Sequence, residues 1–434
     1  MPYRVNIELF QMLKRHISLF YGSISVKRGL HALWCWSAGL FETPDKSRVR
    51  LAQAVNEHFS DGAVFAFGSA RSSLAACLKA TGIGPGDEVL LSAYTCLAVP
   101  IGVIASGAKP IYMDINPDTL NVETADVIAA LTPKTKAVVV QHTLGKPAPI
   151  QQIVAALKGR GIVVIEDCAL ALGSQINGLY TGTFGDAAIF SMELSKTLSS
   201  GWGGILLVNN PKLEQDVKML YKSLPEAGAL SSLRDLLQTV ISAWCSQAVF
   251  SNLLGKYIMA AGFKSHVFRS STPKAEFDGH ISPRFMVKMG RAQLALAVLQ
   301  WENLKLIAAD CVSNANIIRA TLHRLDIPTP GVPNANEIAV APRVSFLVAN
   351  RQFCQTFFSA KGIELGQWFN GPLSPVPRSR LFNYFPGKYP AAEKVAARVV
   401  NLPCHGRLSQ ADLAHVVASL ETLAKKQSSN LYFD

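Results

Sequence analysis

Charge is scarce in this chain of 434 residues: Asp, Glu, Lys and Arg make up 17% of it, while hydrophobic residues make up 49%. That balance excludes an intrinsically disordered chain and predicts a large buried core spread over more than one domain. Signals for cysteine pairing are also missing. The eight cysteines (Cys35, Cys77, Cys96, Cys168, Cys245, Cys311, Cys354 and Cys404) are dispersed, with no C-x-x-C pair. Several lie inside apolar runs, as buried free thiols do, which points to a reducing compartment, the cytoplasm. No zinc-finger spacing, nucleic-acid-type basic tract or RNA-binding aromatic signature accompanies the formal net charge of +12. Nucleic acid therefore ranks last as a partner for that charge, behind an anionic membrane surface and an anionic substrate. A signal-peptide layout is absent: Glu8 precedes the basic pair Lys14–Arg15, and no clean apolar region with a cleavage site follows. Repeats and low-complexity tracts are lacking. Residues 428–434 include Asn430-Leu431-Tyr432-Phe433, which resembles part of a protease-recognition tag, and they carry no argument.

What the chain does have is alternation. From about residue 62 to 210, short β-branched runs alternate with helical stretches. Strands are predicted at 63–67, 88–91, 110–114, 137–141, 162–165, 188–191 and 204–208. Val138-Val139-Val140 and Ile162-Val163-Val164-Ile165 are nearly continuous apolar runs, as in strands covered by helices on both faces of a parallel sheet. The fold class is α/β. The organisation reads as a basic, aromatic segment at 1–55, a large domain at 56–290 with an apolar insertion at about 223–280, and a smaller α+β domain at 291–427. In the last, a helical pattern runs from Arg291 to about Leu325, a strand is predicted at 343–348, and a final helix near 410–425.

Residues 236–255 contain no charged side chain. Their length admits a membrane span, but Gln238, Thr239, Ser242, Ser246, Gln247, Ser251 and Asn252 are poorly suited to one. A buried helix or dimer contact and a membrane-surface element are the other readings.

Three motifs carry chemistry. Phe67-Gly68-Ser69-Ala70-Arg71-Ser72-Ser73 reads as a strand end, a tight turn and a helix start, where unpaired backbone N–H groups favour an anion. Ser69 and Ser72 add hydroxyls and Arg71 a charged donor for phosphate; a plain capped helix is the alternative. Ile165-Glu166-Asp167-Cys168 closes an apolar strand with an acidic pair, at the end where open α/β sheets bind ligands. A carboxylate there can keep a proton on a pyridine nitrogen, or be a solvent-facing acid. Phe190-Ser191-Met192-Glu193-Leu194-Ser195-Lys196, followed by Gly201-Trp202-Gly203-Gly204, places a lysine just after a strand in surroundings nearly free of other charge. Desolvation would free its amine for imine formation, and the glycines permit close backbone approach; a surface loop lysine is the alternative. The order of phosphate turn, acid and lysine is that of pyridoxal-phosphate (PLP) enzymes of the aspartate-aminotransferase fold type.

The chain resembles the DegT–StrS sugar aminotransferases over roughly 50–220 and 285–425. The resemblance is carried by Gly82-Ile83-Gly84-Pro85-Gly86-Asp87-Glu88-Val89, Gly107-Ala108-Lys109-Pro110 with Asp114, 131–137, and His142 with Gly145. It continues through Glu166-Asp167-Cys168-Ala169, Gly182-Thr183-Phe184-Gly185-Asp186, Ser191 with Lys196, Gly203-Gly204 and Asn401-Leu402-Pro403-Cys404-His405. It implies a fold type I PLP-dependent transferase with a mostly parallel central sheet. It also implies that Lys196 is the Schiff-base lysine, Asp167 the partner of the pyridine nitrogen and Ser191 a phosphate ligand. Arg71 and Ser72 fall where the family places a Thr-Ala phosphate pair. Further implications are a homodimer with sites at the subunit interface, glutamate as amino donor and a keto-sugar as acceptor, with no metal. The pattern departs from the family in five places. Ala70-Arg71 replaces a glycine-threonine turn, and Cys96 stands where an aromatic stacks on the ring. Leu170 replaces Gln or His, Met286-Val287-Lys288-Met289 replaces Asn-x-Arg-Met, and Trp202 replaces Glu. A PLP-dependent sugar dehydratase and a non-catalytic, membrane-associated PLP-fold protein are the competing readings. Lys14, Arg15, Lys27 and Arg28, with Phe10, Phe20, Trp34 and Trp36, suit peripheral contact with an anionic membrane on its inner face.

Overall fold

All seven strands predicted between residues 62 and 210 form, and they lie in one sheet. They are β1 (Ala63–Phe67), β2 (Glu88–Ser92), β3 (Lys109–Met113), β4 (Thr135–Gln141), β5 (Val163–Asp167), β6 (Ala187–Ser191) and β7 (Gly204–Val208). The computed structural model describes residues 16–427 apart from 20–22, 60, 248–249, 251–253 and 376–378. Phe10, Lys14, Arg15, Phe20 and the tail at 428–434 lie outside the described residues. The strand order is β1-β7-β6-β5-β4-β2-β3. Pairing is parallel from β6 through β3 and antiparallel on both sides of β7, so β7 alone opposes the rest. Val138, Val139 and Val140 are buried, as a strand covered on both faces requires. This is the mostly parallel α/β sheet the alternation predicts.

Helix α1 (Val26–Ser37) starts at Ser25, whose side chain accepts the Arg28 N–H. Its Ala32 packs on Leu236 and Val240 of α4 (Ala229–Cys245). The two helices meet at Gly29, where a Cβ would stand 3.0 Å from Val240. Helix α2 (Pro44–Asn56) leads into β1, and α3 (Ala70–Ala80) follows it.

Among the described residues no helix is long and apolar enough to cross a membrane; α4 ends at Cys245, and 248–249 and 251–253 of the uncharged stretch lie outside the described residues. The uncharged polar residues of α4 are spent inside the protein. Gln238 exchanges two hydrogen bonds with the Arg269 backbone, and the Thr239 hydroxyl donates to the Asp235 carbonyl. The next helix, α5 (Lys256–Lys264), has no buried residue.

The single helix predicted from Arg291 is broken at Glu302–Asn303 into α6 (Arg291–Trp301) and α7 (Leu304–Arg324). Beyond it, β8 (Arg343–Leu347) pairs antiparallel with β9 (Val399–Pro403), and α8 (Gln410–Gln427) packs on this pair. Ile318, Val344, Phe346, Phe358, Leu402 and Val416 form a core of their own there.

Candidate active site

Strand alternation separates the two acids at the end of β5. Glu166 is wholly buried and accepts the N–H groups of Gly182, Phe184 and Gly185 at 2.7–2.8 Å, with His142 Nε2 at 3.0 Å. It ties down the 182–185 turn. Asp167 instead lines a cavity at the carboxyl ends of the strands. One of its oxygens accepts the Ala169 N–H at 3.0 Å. Burial pushes its carboxyl above the usual range, with the Ala169 N–H, Lys196 and His142 opposing.

Lys196 lies on the same cavity, in the loop after β6. Burial pushes its amine below the ordinary lysine value; Glu193 and Cys96 oppose the shift and Arg343 adds to it. Beside Glu193 of its own loop, Arg343 and Asp167 thus give the lysine charged neighbours that its local sequence context does not show, although desolvation still dominates. Neither Lys196 nor Asp167 makes an ion pair within 4.0 Å among the described residues.

The phosphate turn reaches this cavity through Ser69, Ala70 and Arg71, and Ser191 and Cys96 complete the set. Ser69 caps α3: its side chain accepts the Ser72 N–H, and the Ser72 side chain accepts the Ser69 N–H in return. Ser72 is therefore brought behind the wall rather than onto it; its hydroxyl donates to the Ser69 carbonyl at 2.7 Å. The Arg71 guanidinium is paired with Glu276 of the insertion, donates to the Ser271 carbonyl at 2.6 Å and lies over the Phe285 ring. Gly204 faces the start of α3, where a Cβ would collide with the Ala70 backbone nitrogen.

Sequence reasoning missed Trp368, Arg343 and Glu276. Trp368 lines the cavity with Lys196 Nζ 5.7 Å from its ring centroid. Tyr94 faces elsewhere: its hydroxyl accepts the Phe369 N–H at 2.8 Å.

A half-buried lysine and a buried carboxylate that share a cavity at the C-terminal edge of a parallel sheet, beside a helix N-terminus, define a PLP-fold transferase. The chain belongs to the DegT/DnrJ/EryC1/StrS aminotransferase family, which it matches over residues 29–228 and 257–421. An L-glutamine:2-deoxy-scyllo-inosose aminotransferase from Streptomyces kanamyceticus is 41% identical over 152 residues, 35% of this chain and 36% of that protein. A UDP-N-acetyl-3-dehydro-alpha-D-glucosamine 3-aminotransferase from Acidithiobacillus ferrooxidans is 39% identical over 153 residues, 35% of this chain and 42% of that protein. The chain thus spans about two-fifths of the length of the curated relatives it matches. In fold it is similar to the aminotransferase TlmJ from Streptoalloteichus hindustanus, at a TM-score of 0.72 and 22% identity over 95% of this chain and all of that one.

The family depends on pyridoxal 5'-phosphate. The residues present fit that group: Lys196 for covalent attachment, Asp167 for a cationic ring nitrogen that would relieve its unfavourable burial, and the α3 N-terminus with Ser191 for the phosphate.

Proposed function

We propose that this protein transfers an amino group, from glutamate, to a keto-sugar carried on a nucleotide or a lipid, in cell-envelope polysaccharide or natural-product sugar biosynthesis. The observation that carries this reading is the placement of half-buried Lys196 and buried Asp167, neither with an ion-pair partner among the described residues, on one cavity. Bound there, PLP would supply an electron sink for a carbanion at the donor's α-carbon. Lys196 would hold the cofactor, and its freed amine would carry a proton to and from the donor's α-carbon. Asp167 keeps the ring nitrogen protonated. Ser191, with the backbone at Ala70 and Arg71, binds the phosphate; the Arg71 side chain braces the turn from Glu276, Ser72 caps it from behind, and Cys96 borders the ring.

A homodimer and peripheral contact with the inner face of an anionic membrane complete the proposal. Exposed Trp34 beside Lys27 and Arg28 on α1 supports the membrane contact. Lys196 argues against a dehydratase, and the intact Lys196–Asp167 pair against a non-catalytic role, which Leu170 and Cys96 would favour.

The test is an absorbance spectrum of the cofactor-loaded protein before and after glutamate, beside Lys196→Ala. Conversion of a near-visible band to the amine form, absent in the variant, is the expected result. A chain that takes up no PLP would sink the enzyme reading.

A further inference from the structure

A second chamber of about 490 Å³ adjoins the cofactor cavity, and Glu193, Trp202 and Ser271 line both. Its outer wall is built where the family match breaks off, between residues 228 and 257: Gln238, Ser242, Cys245 and Ser246 of α4 and its C-terminal end, and Lys256 of α5. We propose that this chamber seats the carrier of the acceptor sugar and that the carrier is an isoprenoid-type lipid diphosphate, drawn from a membrane on which α4 and α5 rest. The inference rests on the aminotransferase reading above.

Three observations favour a lipid diphosphate over a nucleotide. First, the chamber's polar side chains are committed to the protein. Gln238 is held by the Arg269 backbone, and the Ser246 and Ser270 hydroxyls donate to carbonyls at 2.8 and 3.0 Å. Little remains to read the edge of a base, whereas Leu194, Trp202, Met259 and Phe263 offer apolar wall.

Second, the chamber sets Arg269 and Lys256 beside two carboxylates that already have partners: Glu364 accepts the Ser18 hydroxyl and the Leu19 N–H and pairs with His16, and Glu193 accepts the Ser195 N–H and hydroxyl. Arg269 is 6% exposed and its Nε has no hydrogen-bond partner, although Nη1 pairs with Asp235 at 2.8 Å and Nη2 donates to Ser231 at 3.0 Å. Asp235 feels Arg234 and Arg284 as well, so one carboxylate faces three guanidinium groups. An anion entering beside Arg269 and Lys256 would meet the free Arg269 Nε and an exposed ammonium.

Third, the outside of the same elements is apolar and basic. Leu237 and Trp244 on α4, Tyr257 and Ile258 on α5, and Leu30 and Trp34 on the adjoining α1 are exposed. Lys27, Arg28, Lys256 and Lys264 are exposed among them, and the sole acid within these three helices is the buried Asp235. Aromatic, aliphatic and lysine side chains without exposed acids are what an anionic lipid surface attracts.

The experiment titrates farnesyl diphosphate, inorganic diphosphate and UDP into the cofactor-loaded full chain, read by tryptophan fluorescence and calorimetry. Farnesyl diphosphate should bind at least about tenfold tighter than either comparison ligand. Met259→Trp, on a helix with no buried residue, should weaken farnesyl diphosphate by about tenfold and inorganic diphosphate by far less. UDP binding as tightly as farnesyl diphosphate, or an unchanged affinity in Met259→Trp, overturns the assignment. Dissociation of a dimer by Trp244→Glu would give the outer face to a second copy and overturn the membrane route. Glutamate conversion of the cofactor band is followed in the same preparation. If conversion proceeds without any preference for farnesyl diphosphate, the chamber assignment alone falls; if conversion fails, the aminotransferase reading falls while the binding result still stands.

Discussion

The Arg343 guanidinium lies on the face of Trp368, its central carbon 3.4 Å from the ring centroid, and Lys196 Nζ stands 5.7 Å from the same centroid. Arg343 is wholly buried, donates to the Ser195 carbonyl at 2.7 Å, and leaves Nε and Nη1 without partners. Burial pushes it down to about 9, with Glu193 opposing. A fixed cation here disfavours a proton on Lys196, so its removal should raise the lysine's pKa. Arg343→Met is predicted to move the pH titration of the cofactor band upward by about one unit. Because a volume-matched apolar side chain replaces a buried unpaired cation, the thermal midpoint should hold or rise. An unmoved titration would show that the field of Arg343 does not reach the amine.

Asp167→Asn removes the charge that would hold a proton on the ring nitrogen and keeps the shape. The variant should still attach its cofactor at Lys196, while the glutamate half-reaction slows by about 10²–10³-fold, as when one preorganised electrostatic contact is lost. Stopped-flow absorbance measures it, and a loss under about threefold would remove Asp167 from the chemistry.

The central sheet was legible because its strands are runs of β-branched residues buried on both faces, a pattern set by local sequence. Lys196, Asp167, Ser191, Ala70 and Arg71 could be picked out because they sit at or just beyond a strand end or helix start that the alternation marks, whereas Cys96 came only from the family resemblance. Trp368, Arg343 and Glu276 were not legible, since they come from elements far along the chain and only packing brings them to the cavity. Ser72 shows the limit of a motif: its spacing from Ser69 suits a phosphate clamp and a reciprocal helix cap equally, and the backbone geometry selects the cap. The break at Glu302–Asn303 was hidden by the continuous apolar and polar pattern on either side of it.

Arg71 and Glu276 bind the insertion to the phosphate turn. Burial raises the Glu276 carboxyl, against which Arg71 is the largest opposing influence. Arg71→Ala would leave that carboxylate buried and unpaired, a loss of about 3–5 kcal/mol. Glu276→Gln keeps the hydrogen bond without the charge and should cost less. Chemical denaturation compares the two. If both variants are as stable as the parent, the pair does not brace the turn.

His405 supplies a pH test of the C-terminal core. Its Nε2 lies 2.8 Å from the Ser18 carbonyl and donates to it, while Nδ1 has no partner. Burial pushes the imidazole down from 6.5 to about 4, with Arg407 and Arg343 adding to the shift and the Ser18 carbonyl opposing it. A depressed histidine is neutral when folded and takes up a proton first in the unfolded chain. Its contribution is therefore intact above pH about 6.5 and is lost as pH falls toward 4. At about 1.4 kcal/mol per pH unit, the loss reaches roughly 3 kcal/mol across that window. His405→Gln has no proton to gain, so its stability should fall less steeply between those limits, although it starts lower at pH 7 through the altered fit at Ser18. Denaturant melts at intervals across the window separate the two slopes, and parallel slopes would show that His405 does not set the acid sensitivity of the fold.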